Sequence, residues 1–210
     1  MNEFKIYSGD IEELKDICAY NSAFSSLPSY RREKASRLKF EKDKKLCVLA
    51  GLLLKRATKD FGIEGEDENI VFSKNAKPDF NPDIKLHFSL SHSGSKALCC
   101  VSEHIIGCDI EKEDDGVDLS IANRFFAREE KEYLNKISDL SLRKLEFFAL
   151  WTLKESLIKA TGEGLRASLS SFSVCKNKEI KEKISYCGKE YRLFTLELFK
   201  GYKSAAAISV

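Results

Sequence analysis

The stretch Ile105-Ile106-Gly107-Cys108-Asp109-Ile110-Glu111 decides how the chain divides. It predicts a strand, the last of four strand patterns that follow a long helical pattern. Helical spacing returns after it, from Asp118 onward. We therefore divide the chain at this strand, into residues 1–104 and 105–210. The two residues before Ile105 are few enough to connect the strand to the preceding one as a hairpin.

The order of elements predicts an α+β protein made of two similar halves. In the first half, a helical pattern from about Tyr30 to Phe61, with one possible break, ends at Gly62. In the second half, a helical pattern from about Leu142 to Thr161 ends at Gly162. Strands are predicted at residues 4–7, 69–73, 86–91, 97–102, 105–111, 172–174, 184–187, 191–198 and 205–210. No Pro- or Ser-rich linker separates the halves, so we expect them to pack tightly.

Composition limits the classes of protein to which the chain can belong. Apolar residues make up 43% of the chain and aromatic residues 10%, which is enough for a hydrophobic core. Charged residues make up 32%, but the net charge is only +2, so composition does not mark a nucleic-acid-binding protein. Seven cysteines without a Cys-x-x-Cys pair indicate reduced thiols rather than disulfides or a structural zinc site. With no signal-peptide pattern, and with Leu46–Leu54 too short to span a bilayer, we expect a cytoplasmic protein.

Two carboxylates in the central strand form a candidate metal site. Asp109 and Glu111 are two residues apart, so their side chains share one face of a strand. Two like charges at that distance repel each other, and a cation between them removes the repulsion. Oxygen ligands of this type suit Mg²⁺, which completes its shell with water and substrate phosphates. The alternative is a polar strand end, in which Lys112 and Glu113 make surface ion pairs.

The long second helix carries further candidate residues. Trp151, Glu155 and Lys159 follow one another at intervals of four, so they share one helix face. Glu155 is a candidate third metal ligand or general base, and Lys159 a candidate partner for phosphate charge. The alternative is an ordinary Glu–Lys pair on the helix surface, worth only about 0.3–0.5 kcal/mol.

Two segments of the first half are candidate phosphate-binding regions. Phe88–Gly94 predicts a strand that runs into a Ser/His/Gly-rich turn, whose hydroxyls, imidazole and backbone N–H groups suit a phosphate. A plain hairpin is the alternative, and Ser91 lacks the flanking glycines of a nucleophilic serine. Arg31–Lys45 has eight basic and three acidic residues, a balance of +5. This stretch is either a solvated helix face or a surface that attracts an acidic ligand or protein.

Taken together, these segments resemble the 4′-phosphopantetheinyl transferases of the surfactin-synthetase-activating type. The matching pieces occur in the order of the family and span most of the chain. They are Arg31-Arg32-Glu33-Lys34, Ala50 to Leu54, Lys77-Pro78, Phe88 to Ser93, Gly107 to Glu111, Arg124 to Phe126, Trp151 to Lys159 and Gly162 to Leu165. Each piece is weak by itself, but the ordered set is specific.

The resemblance implies a fold and a reaction. The fold would be two similar α+β halves related by pseudo-twofold symmetry, with coenzyme A in the cleft between them, in a chain that works as a monomer. In the reaction, a serine of an apo acyl or peptidyl carrier protein attacks the β-phosphorus of coenzyme A. Phosphopantetheine moves to that serine, and adenosine 3′,5′-bisphosphate leaves. No nucleic acid or membrane would be involved.

The resemblance also implies roles for individual residues. Asp109, Glu111 and Glu155 would hold Mg²⁺, either Glu155 or a metal-bound water would accept the serine proton, and Lys159 would stabilise charge on the pyrophosphate. The residues expected to bind coenzyme A are Arg31, Lys34, Lys45, Lys77, Ser91, His92, Asp109, Lys154 and Lys159.

One departure and two other functions stay open. Family members usually carry an arginine where this chain has Leu46 or Cys47, and Lys44 or Lys45 would have to replace it without the bidentate guanidinium. A Mg²⁺-dependent nuclease also uses a D-x-E pair with a lysine, although the near-neutral charge argues against it. The missing arginine leaves room for a binder of coenzyme A or carrier proteins without activity.

Overall fold

The computed structural model describes residues 3–65, 69–73, 75, 77–164, 168–176 and 179–210. The chain forms two compact units, Met1–Glu103 and His104–Val210. Helices and antiparallel sheets occur in both, so the α+β class is confirmed. No helix within the described ranges has both the length and the apolar character needed to cross a membrane.

The elements are numbered in chain order. The helices are α1 (Ile17–Ser25), α2 (Ser29–Arg37), α3 (Glu41–Asp60), α4 (Ile121–Phe125), α5 (Arg128–Asn135) and α6 (Leu140–Thr161). The strands are β1 (Lys5–Asp10), β2 (Ile70–Phe72), β3 (Pro78–Phe80), β4 (His87–Ser93), β5 (Lys96–Ser102), β6 (Ile106–Lys112), β7 (Cys175–Lys176), β8 (Glu179–Ile180), β9 (Lys183–Tyr186), β10 (Lys189–Leu196) and β11 (Tyr202–Ser209).

In the first unit, helix α3 packs on a three-stranded antiparallel sheet in the order β1-β5-β4. Leu49, Leu53 and Ala57 recur at intervals of four and are fully buried, as helical spacing predicts. They share a core with alternate residues of β5, Cys99 and Val101. The predicted break in the long helical pattern separates α2 from α3, and α3 ends next to Gly62, which has a positive φ of 67°.

In the second unit, helix α6 packs on a four-stranded antiparallel sheet in the order β6-β11-β10-β9. Ala205 and Ala207 of β11 are fully buried in the α6 core, where their small side chains let helix and sheet approach closely. Helix α6 ends at Gly162, which adopts the left-handed conformation with φ 72°. The predicted glycine stop is therefore confirmed.

The predicted hairpin before Ile105 is wrong. Strand β5 pairs with β1 and β4, so both of its edges are occupied, and β6 pairs with β11 instead. Asp109 lies opposite Ala205, almost one hundred residues away in the chain. A short connection shows only that a hairpin is possible, and the sequence carries no local signal for a partner so distant.

Smaller differences arise from local capping and pairing. Asp10 also predicts the start of a short helix to about Ala19, but it ends β1 and caps a 3₁₀ turn, while Asp16 caps α1, so this segment is two short elements. Lys77-Pro78 predicts a turn, whereas Pro78 begins strand β3, which pairs with β2. The strand predicted at residues 172–174 is replaced by a 3₁₀ turn at Leu169–Ser171 and a short strand, β7.

Candidate active site

Gly107 brings strand β6 into close contact with helix α6. A Cβ atom at this position would lie 2.0 Å from the backbone oxygen of Ser156 and 2.3 Å from the backbone nitrogen of Ala160. Those are backbone atoms of a helix and cannot move aside, so only glycine fits. Because strand side chains alternate, Asp109 faces α6 one step farther along β6.

Asp109 forms an ion pair with Lys159 at this contact. The Lys159 ammonium donates a hydrogen bond of 2.7 Å to Oδ1 of Asp109. The Asp109 side chain is 3% exposed, whereas that of Lys159 is 31% exposed. Burial is the largest single influence and lowers the pKa of Lys159, but the charge and hydrogen bond of Asp109, together with Cys108 and Glu155, raise it by more, so the net pKa is raised. Lys159 is therefore a cation that solvent can still reach.

Glu155 lies one helical turn before Lys159 and within the field of the same ion pair. Burial raises the pKa of this half-buried carboxyl, the Asp109 charge raises it further, and Lys159 opposes them. A carboxylate with a raised pKa accepts a proton more readily. Asp109, Glu155 and Lys159 thus influence one another electrostatically.

Glu111 is the fourth predicted member of this site. It is half-buried and follows Asp109 by two residues on the same face of β6, opposite Lys203 of β11. The three carboxylates offer the hard oxygen donors that Mg²⁺ prefers, so the donor set fits this ion. No three His, Cys, Asp or Glu side chains in the described ranges are gathered closely enough to hold a metal. The metal site therefore stays a prediction.

Lys154 occupies a different environment from Lys159. Its ammonium donates to both carboxylate oxygens of Glu130, at 2.9 and 2.7 Å, and to the backbone oxygen of Phe172 at 2.7 Å. The side chains of Lys154 and Glu130 are 1% and 0% exposed. The prediction that Lys154 binds coenzyme A is wrong, because its three protons already have acceptors inside the core.

Arg31 and Lys34 of helix α2 form a cationic pair in the first unit. Arg31 is buried, and its Nη1 lies 3.9 Å from Sγ of Cys47. In the described part of the chain, Nε of Arg31 has no hydrogen-bond acceptor. Lys34 is exposed, but partial desolvation of its ammonium lowers its pKa, and the Arg31 charge lowers it further. Two cations placed this way favour an anionic ligand.

The contact with Cys47 bears on the missing arginine. Leu46 and Cys47, at the position of the expected arginine, are buried on α3. The guanidinium of Arg31 reaches that position from α2 instead. Sequence spacing on α3 directs attention to Lys44 or Lys45, whereas packing of two helices provides the guanidinium.

The remaining predicted residues of the first unit are Lys45, Lys77, Ser91 and His92. Ser91 and His92 are both paired residues of strand β4 rather than part of a turn, so their side chains point to opposite faces. Ser91 is buried and His92 exposed. Lys77 precedes β3, and Lys45 is half-buried on α3. The contacts expected for these four residues with coenzyme A stay predictions.

Sequence reasoning missed Glu130. In the sequence, a glutamate in the first turn of a predicted helix indicates only a favourable interaction with the helix dipole. Glu130 also accepts from the backbone N–H of Ala127, which is the capping arrangement that a glutamate three residues after a helix N-cap produces. That spacing was a usable signal for the cap, but none pointed to Lys154.

Comparison with known proteins gives a consistent result. A family model described as the 4′-phosphopantetheinyl transferase superfamily matches residues 105–208. The 4′-phosphopantetheinyl transferase gsp of Aneurinibacillus migulanus is 32% identical over 189 residues, which are 90% of this chain and 78% of that protein. The 4′-phosphopantetheinyl transferase Sfp of Bacillus subtilis strain 168 is 32% identical over 191 residues, which are 88% of this chain and 84% of that protein.

One solved structure shows a weaker similarity. Holo-[acyl-carrier-protein] synthase of Thermotoga maritima is 19% identical and matches 50% of this chain and 61% of that chain. The TM-score is 0.35, which is too low to support a conclusion.

Proposed function

Because this chain belongs to the 4′-phosphopantetheinyl transferases, enzymes that transfer phosphopantetheine to carrier proteins, we propose that Asp109, Glu111, Glu155 and Lys159 carry out the transfer. One observation carries this assignment. The register that Gly107 imposes on β6 and α6 sets Asp109 against Lys159, with Glu155 in the same field. The comparisons support neither a nuclease nor a binder without activity.

In the proposed reaction, a serine hydroxyl of the carrier protein attacks the β-phosphorus of coenzyme A. A bond forms between the serine oxygen and phosphorus, and the bond from phosphorus to the bridging oxygen breaks. Adenosine 3′,5′-bisphosphate leaves with the electron pair of that bond. The hydroxyl proton passes to Glu155, directly or through water, and the raised pKa of this carboxyl is consistent with that role.

Lys159 is assigned to the charge that builds up on the pyrophosphate. Its ammonium stays charged because Asp109 raises its pKa, and its side chain is 31% exposed, so a phosphate can reach it. A preorganised cation beside a reacting phosphate stabilises the transition state without reorganisation. Asp109 orients this cation through the 2.7 Å hydrogen bond.

Magnesium is the proposed metal, with Asp109, Glu111 and Glu155 as its ligands. A Mg²⁺ ion bound there would neutralise negative charge on the pyrophosphate. Two of these ligands lie on one strand face and the third on the facing helix, and all three are hard oxygen donors.

We assign the nucleotide phosphate to Arg31 and Lys34. Support comes from the buried guanidinium next to Cys47 and from the pKa of Lys34, which partial desolvation and the neighbouring positive charge lower. A phosphate would supply the negative charge that this pair lacks. Lys45, Lys77, Ser91 and His92 are assigned to the same ligand from the family motif. We also propose that the enzyme is cytoplasmic and works as a monomer.

The test is a panel of apo acyl and peptidyl carrier proteins incubated with coenzyme A, Mg²⁺ and the protein. We expect a mass gain of one phosphopantetheine on the carrier and release of adenosine 3′,5′-bisphosphate. A carrier whose modified serine is replaced by alanine serves as the control. Absence of any mass gain across fatty-acid, polyketide and peptide carriers would contradict the proposal.

The ligand assignment has its own matched test. Glu113 follows Glu111 by two residues, directly after the end of β6, and pairs with Lys203. We expect Glu111→Gln to lower the rate of carrier labelling by at least about 30-fold and Glu113→Gln to leave it within about twofold. Equal rates for the two variants would remove Glu111 from the site.

A further inference from the structure

The buried pair of Lys154 and Glu130 connects three segments of the second unit. Oε1 of Glu130 accepts from the backbone N–H of Val174 at 2.7 Å, and Oε2 accepts from that of Ala127 at 2.8 Å. Lys154 adds its bonds to Glu130 and to the backbone oxygen of Phe172. The start of α5, the middle of α6 and the segment before β7 are thereby fixed to one ion pair.

A buried ion pair contributes little net stability to a protein core. Removing two charges from water costs free energy, and apolar residues of similar volume are often as stabilising. A buried pair is better suited to define position, because its hydrogen bonds have narrow distances and directions. The aromatic surroundings strengthen this constraint, since the Lys154 ammonium lies 4.2 Å from the ring centroid of Phe172.

The fixed point lies next to the proposed catalytic residues. Lys154 directly precedes Glu155 in α6, and Lys159 follows one turn later on the face of Glu155. A rotation or shift of α6 at residue 154 would move both side chains relative to Asp109 on β6. Anchoring Lys154 therefore fixes the positions of the Glu155 and Lys159 side chains relative to Asp109.

We propose that Glu130, acting through Lys154, is a positioning residue for the catalytic turn of α6. This inference rests on the proposed roles of Glu155 and Lys159. It explains why Lys154, inside a motif assigned to coenzyme A, has no exposed surface. Residues that orient the groups of an active site without touching substrate commonly contribute 10–100-fold to activity or metal affinity.

The test uses the double variant Glu130→Gln/Lys154→Met. It removes both charges at once, so no unpaired ion stays in the core, and the introduced amide keeps an acceptor oxygen for the N–H of Val174. We expect kcat for carrier labelling to fall by about 10–100-fold. The affinity for adenosine 3′,5′-bisphosphate, measured by calorimetry, should fall by less than kcat does, because Arg31 and Lys34, which are assigned to its nucleotide phosphate, lie in the first unit and are unchanged.

Trp151, the only tryptophan of the chain, gives an independent readout. It lies one turn before Glu155 and packs on Phe147, with ring centroids 6.0 Å apart, and on Phe125 at 5.6 Å. Movement of this part of α6 will change the emission maximum of Trp151 and its quenching by acrylamide. We expect both to change in the double variant.

The matched control is Thr152→Val. Thr152 is as buried as Lys154 and lies on the same helix, but its hydroxyl donates only to Ala149 of the preceding turn. This control should keep wild-type kcat and Trp151 emission. Circular dichroism verifies that each variant is folded, and if the double variant is not, Glu130→Gln alone is assessed by the same measurements.

Three results separate the possibilities. A folded variant with unchanged kcat and unchanged Trp151 emission overturns the positioning role. Loss of product affinity with kcat retained also overturns it and makes Lys154 a direct ligand. If the wild-type protein labels no carrier, the proposed function itself fails, which is distinct from a variant that matches an active wild type.

Discussion

Two lysines of helix α6, five residues apart, each pair with a buried carboxylate, yet their surroundings differ. The side chains of Lys154 and Glu130 are 1% and 0% exposed, and the ammonium has three acceptors. In the second pair, Lys159 is 31% exposed while Asp109 is 3% exposed. The first pair is closed to any ligand, whereas the cation of the second is open to one.

The pKa values of the two lysines also shift in opposite directions. Burial lowers the pKa of Lys154, and Glu130 opposes this without reversing it. Burial also lowers the pKa of Lys159, but Asp109, Cys108 and Glu155 together reverse the effect and the pKa is raised. Sequence spacing shows which charged residues share a helix face. Whether such a residue is structural or catalytic depends on how deeply it is buried and on whether its hydrogen bonds are already satisfied.

Removing the enclosed lysine should have the largest effect on stability. Lys154→Met leaves the Glu130 carboxylate buried without its cation, so we expect the free energy of unfolding to fall by about 3–5 kcal/mol. Urea denaturation followed by Trp151 fluorescence measures this. Lys144→Met, on the same helix but half-exposed, is the control and should cost less than about 1 kcal/mol. Equal losses would show that the enclosed pair has no special role.

Replacing Lys159, the lysine that solvent reaches, should affect activity more than stability. Lys159→Met is expected to lower kcat/KM for carrier labelling by at least about 30-fold, or about 2 kcal/mol, because a preorganised cation is lost. Its free energy of unfolding should fall by less than that of Lys154→Met, since water reaches the Lys159 side of the pair. Normal labelling by this variant would remove Lys159 from the catalytic group.

A smaller loss of activity and stability is expected from a change at Gly107, where β6 and α6 are in contact. Gly107→Ala places a methyl group against backbone atoms of Ser156 and Ala160, so β6 and α6 must separate. We expect a loss of about 1–3 kcal/mol in the free energy of unfolding, together with weaker labelling as Asp109 moves from Lys159. Gly188→Ala is the control: a Cβ there meets no atom within 4 Å, and although the positive φ of 75° will cost about 1 kcal/mol, labelling should stay normal. Labelling unaffected by Gly107→Ala would show that this contact does not set the site.

Local signals in the sequence were sufficient for the elements and for part of the site. The helix that stops at Gly162 and the strand around Asp109 were predicted because periodicity and punctuation are local. Glu155 and Lys159 were assigned to one face by their spacing, and the structure places both in the field of Asp109.

Other features depend on partners distant in the chain and could not be predicted. The pairing of β6 with β11 joins residues almost one hundred positions apart. The enclosure of Lys154 depends on Glu130, and the guanidinium beside Cys47 comes from α2 rather than α3. Tertiary packing decides each of these, and no short window of sequence contains both partners.

The central claim is that the group formed by Asp109, Glu155 and Lys159 carries out phosphopantetheine transfer, and Glu155→Gln tests it most directly. This change keeps the shape of the side chain and removes its charge. Glu146→Gln, nine residues earlier on α6, is the control, since glutamine can still accept the hydrogen bond from Tyr133. The rate of mass gain on an apo carrier protein is measured for both at saturating coenzyme A and Mg²⁺. We predict a loss of at least about 30-fold for Glu155→Gln and less than about twofold for Glu146→Gln. Near-normal labelling by Glu155→Gln would contradict the claim.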